Sequence, residues 1–159
     1  MAKKSISLLP VDREYKQLLA TFGKMDDIAK KDMKEIAKSL AERGARYAQG
    51  AANNAPYNAR QARAVVDSIK VSKSDKAPSF SIGGSRKVGS SAFSAGYVIM
   101  GNEFGSNRYK QFPRRSPRQG RGNRGWWLFP AMSRFQPTIA REWLQGYEKI
   151  RDAWVSRLF

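Results

Sequence analysis

Neither cysteine nor histidine occurs anywhere in the 159 residues. The first absence excludes disulfides and thiolate metal sites and leaves the redox compartment open. The second removes the usual general base and the commonest metal ligand, and with them every Ser-His-Asp and Cys-His arrangement. Acidic residues are scarce as well: 13 Asp and Glu stand against 30 Lys and Arg, for a net charge of +17. Such an excess points to a polyanion or an acidic protein surface as partner. No stretch approaches the roughly 20 apolar residues that span a bilayer, and the apolar run in Met1–Pro10 is too short for a signal peptide. The expectation is a soluble protein made in the cytoplasm, with no membrane partner.

What is present is enough for a core. Hydrophobic residues make up 41% of the chain and include four tryptophans, so the composition fits one folded domain over residues 1–159 rather than global disorder. The missing acid is also localised. From Phe104 through Arg141 there is no acidic residue, while Arg108, Lys110, Arg114, Arg115, Arg118, Arg121, Arg124, Arg134 and Arg141 all fall there. Pro113, Pro117, Gly120, Gly122 and Gly125 prevent a continuous helix, which makes residues 105–125 a flexible basic loop. Like charges at this density repel, so the loop requires a negative partner.

The pattern predicts a short strand over Ser5–Leu9 and a helix from Arg13 to Phe22 that stops at Gly23. A longer helix follows, capped by Asp26 or Asp27 and running to about Ala52. Its apolar positions Ala29, Met33, Ile36, Ala37, Leu40, Gly44, Tyr47, Ala48 and Ala51 repeat at helical spacing. Many of them are small, which implies close packing against a sheet or another subunit. After a polar linker, Tyr57–Arg63, strands are predicted over Val65–Ser72, Ser79–Gly83 and Gly96–Gly101. The last is apolar on both faces and therefore central. Phe129–Phe135 reads as a short helical turn. Pro137 then opens a final helix with the stripe Ile139, Trp143, Tyr147, Ile150, Trp154 and Leu158. The fold class is α+β: a small, mainly antiparallel sheet packed by the long central helix and the C-terminal helix.

No motif carries catalytic chemistry. Gly83–Ser91 holds glycines and a lysine but lacks the phosphate-loop register, and reads as a mobile hairpin loop. Asp26 and Asp27 are explained by helix capping. Glu103 reads as the ion-pair partner of a loop arginine, and one carboxylate does not make a hydrolase. Neither an enzymatic activity nor a cofactor is expected. Trp126 and Trp127 are adjacent and cannot both face inwards on a regular element, so one is expected at an interface.

Four short motifs then fall in a telling order: Asn54-Ala55-Pro56, Asp67-Ser68-Ile69-Lys70-Val71, Glu103-Phe104-Gly105 and Leu128-Phe129-Pro130-Ala131. In this order the chain resembles the small tail-component proteins of long-tailed siphophages, the neck or tail-completion proteins that join heads to tails. It departs from their pattern at Tyr57–Ala64, which replaces a short Arg-Thr-Gly-x-Leu turn, and in a longer, more arginine-rich loop after Gly105. The resemblance implies a structural virion protein in a homo-oligomeric ring, a hexamer favoured, around the DNA channel. It also implies connector, terminator or tail-tube proteins as neighbours.

Head-to-tail contacts close such a ring. Met33, Ala37, Leu40, Gly44 and Ala48 on the small-residue face, and a sheet edge, are the candidate subunit interfaces. Duplex DNA must slide through a neck, and many phosphate contacts would hinder it. Arg108, Lys110, Arg114, Arg115, Arg118, Arg121, Arg124, Trp126 and Trp127 are therefore expected to face mainly acidic partner surfaces, with transient, nonspecific contact to DNA. The competing reading is a single-strand nucleic-acid-binding protein using the Arg/Gly loop and Trp126-Trp127.

Overall fold

The computed structural model describes residues 4–7, 17, 20, 23–55, 59–72, 77–88, 93–106, 108–112 and 125–158. Among them the chain is mainly helical. Strand β1 (Lys4–Ser7) precedes α1 (Asp27–Asn53), α2 (Ala59–Val66), β2 (Lys70–Val71), β3 (Ser79–Ile82), α3 (Ala95–Phe104) and α4 (Leu128–Val155).

The long helix begins where capping chemistry puts it. The Asp26 carboxylate accepts a hydrogen bond from the Ala29 amide at 2.7 Å, satisfying one of the first-turn donors that a helix leaves without a partner. Its buried stripe is Ala29, Met33, Ala37, Leu40, Ala41, Gly44, Ala45, Ala48 and Ala52. The same stripe was the candidate subunit interface, and that assignment is corrected. Met33, Ala37, Leu40, Gly44 and Ala48 are all buried inside the single chain.

Their cover is chiefly α4, which runs antiparallel to α1. Arg157 reaches Asp26 at 3.3 Å. Ile36 sits so close to Gly146 that a Cβ there would lie 2.9 Å from its Cδ1. Arg43 pairs bidentately with Glu142, and Tyr47 stacks on Phe135 with ring centroids 4.5 Å apart. Small side chains on α1 let the bulky α4 residues Ile139, Trp143 and Tyr147 approach, which is why the alanines and the aromatics occupy opposite helices.

Helix α4 is one continuous element rather than a turn followed by a helix. Pro137 lies inside it. Ser133, four residues earlier, and Pro137 are both exposed, so the turn that proline weakens lies on the solvent side of the helix, which continues through it. Of the anticipated stripe, Ile139, Trp143, Tyr147 and Ile150 are buried, Trp154 is half-buried and Leu158 is exposed beyond the helix end.

The sheet is antiparallel in the order β1-β3-β2, with Ser7 opposite Ser79 and Val71 opposite Phe80. It is smaller than anticipated and lies against α1, while α4 packs on α1 itself. Phe80 and Ile82 of β3 alternate into the core, the period-2 pattern of a half-buried strand. Two strand expectations are overturned. Residues 59–66 form α2, because Ala59-Arg-Gln-Ala-Arg-Ala are strong helix formers, and only Lys70–Val71 of the Val65–Ser72 stretch is strand. Residues 95–104 form α3, not a central strand, bounded by Ser94 and by Gly105 at φ 74°.

The described part of the Gly/Ser segment, residues 83–88, is hydrogen-bonded to the rest of the fold. Gly83 donates to Ser68 Oγ at 2.8 Å, Gly96 donates to Gly84 at 3.1 Å, and Lys87 bridges Ser94. The expected helix over Arg13–Phe22 falls almost wholly outside the described residues. Among the described residues, no helix is long and apolar enough to cross a membrane.

Candidate functional site

The described residues on the two sides of the basic stretch, Phe112 and Gly125, both pack on the last turns of α3, against Gly101 and Glu103. Glu103 lies in the last turn of α3, is completely buried, and points across at the start of α4. Its Oε1 accepts the amides of Trp126 at 3.1 Å and Phe129 at 2.9 Å. Its Oε2 accepts those of Trp127 at 3.3 Å and Leu128 at 2.9 Å. One carboxylate therefore takes up four consecutive N–H groups at the positive end of a 28-residue helix, the place where a helix most favours a negative charge. The expected ion pair with a loop arginine is corrected: Glu103 serves the backbone instead. Burial pushes its carboxyl above the ordinary value, against the downward pull of the four amide donors.

Neighbouring contacts reinforce the closure. Trp127 Nε1 donates to Asn102 Oδ1 at 2.8 Å, and the Phe104 and Phe129 rings meet at 5.4 Å. Gly125, at φ 80°, packs so tightly on Glu103 that a Cβ would sit 2.0 Å from Oε1. On the outgoing side the chain makes a compact turn. Ser106 Oγ accepts the amides of Arg108 and Tyr109, the Ser106 amide donates to Phe112 at 2.8 Å, and the Phe112 ring rests on Gly101.

The anticipated partner-facing residues divide. Arg108 and Lys110 are exposed on that turn, with the Arg108 guanidinium 5.5 Å from the Tyr109 ring centroid. Arg114, Arg115, Arg118, Arg121 and Arg124 lie outside the described residues. Trp126 and Trp127 are both buried, at 8% and 4% exposure, which corrects the expectation that one faces a partner. The alternation argument failed because the pair sits in the irregular turn before α4, where successive side chains need not oppose each other.

Glu103 is the residue whose role the sequence conceals, since its partners are main-chain groups more than twenty positions away. The only local signal is its place between an apolar run and Phe-Gly. Among the described residues no group of three His, Cys, Asp or Glu side chains is placed to hold a metal ion. No known family model, curated protein or solved structure matches the chain.

Proposed function

We propose that the chain is a structural virion protein of the phage neck, acting in tail completion and head-to-tail joining as a subunit of a ring around the DNA channel. One observation carries this reading. A long acid-free, arginine-rich segment begins and ends at a base fixed by Glu103, on a scaffold with a core of its own. A charged segment on a rigid mount is suited to gripping an acidic neighbour, and a net charge of +17 requires neighbours that offset it. The resemblance at Asn54-Ala55-Pro56, Glu103-Phe104-Gly105 and Leu128-Phe129-Pro130-Ala131 supplies the class of neighbour: connector, terminator or tail-tube protein.

Because the small-residue stripe of α1 is buried within the subunit, ring contacts fall to other surfaces, among them the outer strands β1 and β2. The single-strand nucleic-acid reading loses the stacking surface it assigned to Trp126 and Trp127, and retains only the Arg/Gly segment.

Electron microscopy of particles assembled without this gene tests the proposal. The expected result is DNA-filled heads and finished tails that remain separate; intact virions discard it. Substituting Arg114, Arg115, Arg118 and Arg121 with serine is expected to abolish joining while leaving the subunit folded. Normal joining by that variant refutes the role of the segment.

A further inference from the structure

Beside the mount of the basic segment, the outer face of α3 and the 105–112 turn enclose a groove of about 370 Å³. Its lining is dominated by Phe93, Tyr97, Met100, Phe104, Tyr109 and Phe112. Four of these are partly exposed, Tyr97 at 63%, Phe93 at 49%, Tyr109 at 44% and Met100 at 37%. Single exposed apolar residues need no explanation, but a concave cluster of this kind marks a contact site. Its rim carries cations at Tyr109: exposed Arg108 and Lys110 flank that residue in the chain, and the Arg108 guanidinium lies 5.5 Å from its ring centroid. No lining residue is acidic, and Glu103, the carboxylate nearest in sequence, is buried and turned towards α4.

We propose that this groove docks an extended segment of another protein, one that inserts a leucine- or phenylalanine-like anchor and carries Asp or Glu on either side of it. The lining side chains Met100, Phe104 and Phe112 suit an apolar anchor, and methionine adapts to varied shapes. The rim selects against basic segments, so for this groove an acidic partner is a better match than the basic surface of a second copy, whose net charge is +17. Nucleobases are a poorer match. Besides the phenols of Tyr97 and Tyr109, only Ser106 and Gln111 give the lining polar side chains, and Arg108 and Lys110, two residues apart at one end, do not make the cationic track that a phosphate backbone follows.

The inference deepens the neck reading by stating the chemistry of the partner. It depends on that reading only for where in a particle the partner sits. The test uses the purified full chain, so its failure and a normal gene-deletion phenotype are separate results.

A random peptide display library is panned on the chain at physiological salt, and recovered peptides are then titrated against Tyr97→Glu and against the double variant Arg108→Glu/Lys110→Glu. Circular dichroism verifies that each variant is folded. The expected peptides carry acidic residues around one or two large apolar ones, and lose affinity about tenfold or more on each variant, as loss of a hot-spot contact does. Recovered peptides without acidic enrichment, or binding unchanged by both variants, overturn the proposal. It is equally overturned if Tyr97→Glu abolishes binding of oligothymidylate, which assigns the groove to nucleic acid. Dissociation of a self-assembled form by Tyr97→Glu assigns it to a second copy instead.

Discussion

Alanine at Gly125 strikes the mount of the basic segment at its tightest point. The backbone there sits at φ 80°, and holding a residue with a Cβ in the left-handed region costs about 1–2 kcal/mol. The larger effect is steric. The new Cβ would stand 2.0 Å from Glu103 Oε1, so the carboxylate has to withdraw from the amides of Trp126 and Phe129. Hydrogen bonds to a charged group contribute roughly 1.5–3 kcal/mol each, and buried amides left without an acceptor gain nothing in return.

A loss of about 4 kcal/mol is the conservative sum, and for a domain of this size it lowers the melting temperature by about 10 °C. Gly84→Ala provides the control. Its φ is 85°, yet nothing lies within 4 Å of the added Cβ, so only the conformational cost of about 1 kcal/mol applies. Differential scanning calorimetry of both variants separates the two effects. If they melt together, the tight contact between Gly125 and Glu103 does not govern this region, and the reasoning fails.

Three further predictions rest on other contacts. Glu103 is raised above 4.5 by burial, so the stability its titration contributes is full below the unfolded value and is lost as pH rises through the folded one. Wild type should therefore lose ground to the non-titrating Glu103→Gln between acid and neutral pH in denaturant titrations; a gain over that window contradicts the burial-dominated balance. The Arg43–Glu142 pair joins α1 to α4 with both side chains partly in solvent, and a double-mutant cycle should return a coupling of about 0.5–1 kcal/mol that shrinks with added salt. Gly50 is exposed in the last turns of α1, and a methyl group added there meets nothing within 4 Å, so Gly50→Ala should raise stability by about 0.5–1 kcal/mol in urea unfolding.

The two long helices were legible because their signals are local and redundant. Asp26 marks one start, small residues repeat from Ala29 to Ala52, and Ile139, Trp143, Tyr147 and Ile150 repeat at the same period on the partner. Strand β3 was legible from the alternation of Phe80 and Ile82 with serines. The misreadings share a cause. Tyr97-Val98-Ile99-Met100 is a short apolar run without period, and such a run fits a buried strand as well as a helix. What decides for helix is Gly105 in the left-handed conformation, together with packing on α2, and neither is visible in the run itself.

At the candidate site, composition revealed the charge but not its mount. A carboxylate among arginines invites an ion pair, whereas the fold offers it the four amides that open α4. Trp126 and Trp127 were likewise judged by a rule for regular elements that does not apply to a turn.

The four-amide clasp also has an evolutionary reading. Its acceptor is one side chain, whereas its four donors are main-chain N–H groups, so any residue type but proline at positions 126–129 keeps the donors and the clasp constrains the sequence chiefly at position 103. A lineage can therefore exchange side chains at 126–129, within what packing allows, while the carboxylate at 103 holds the junction in place.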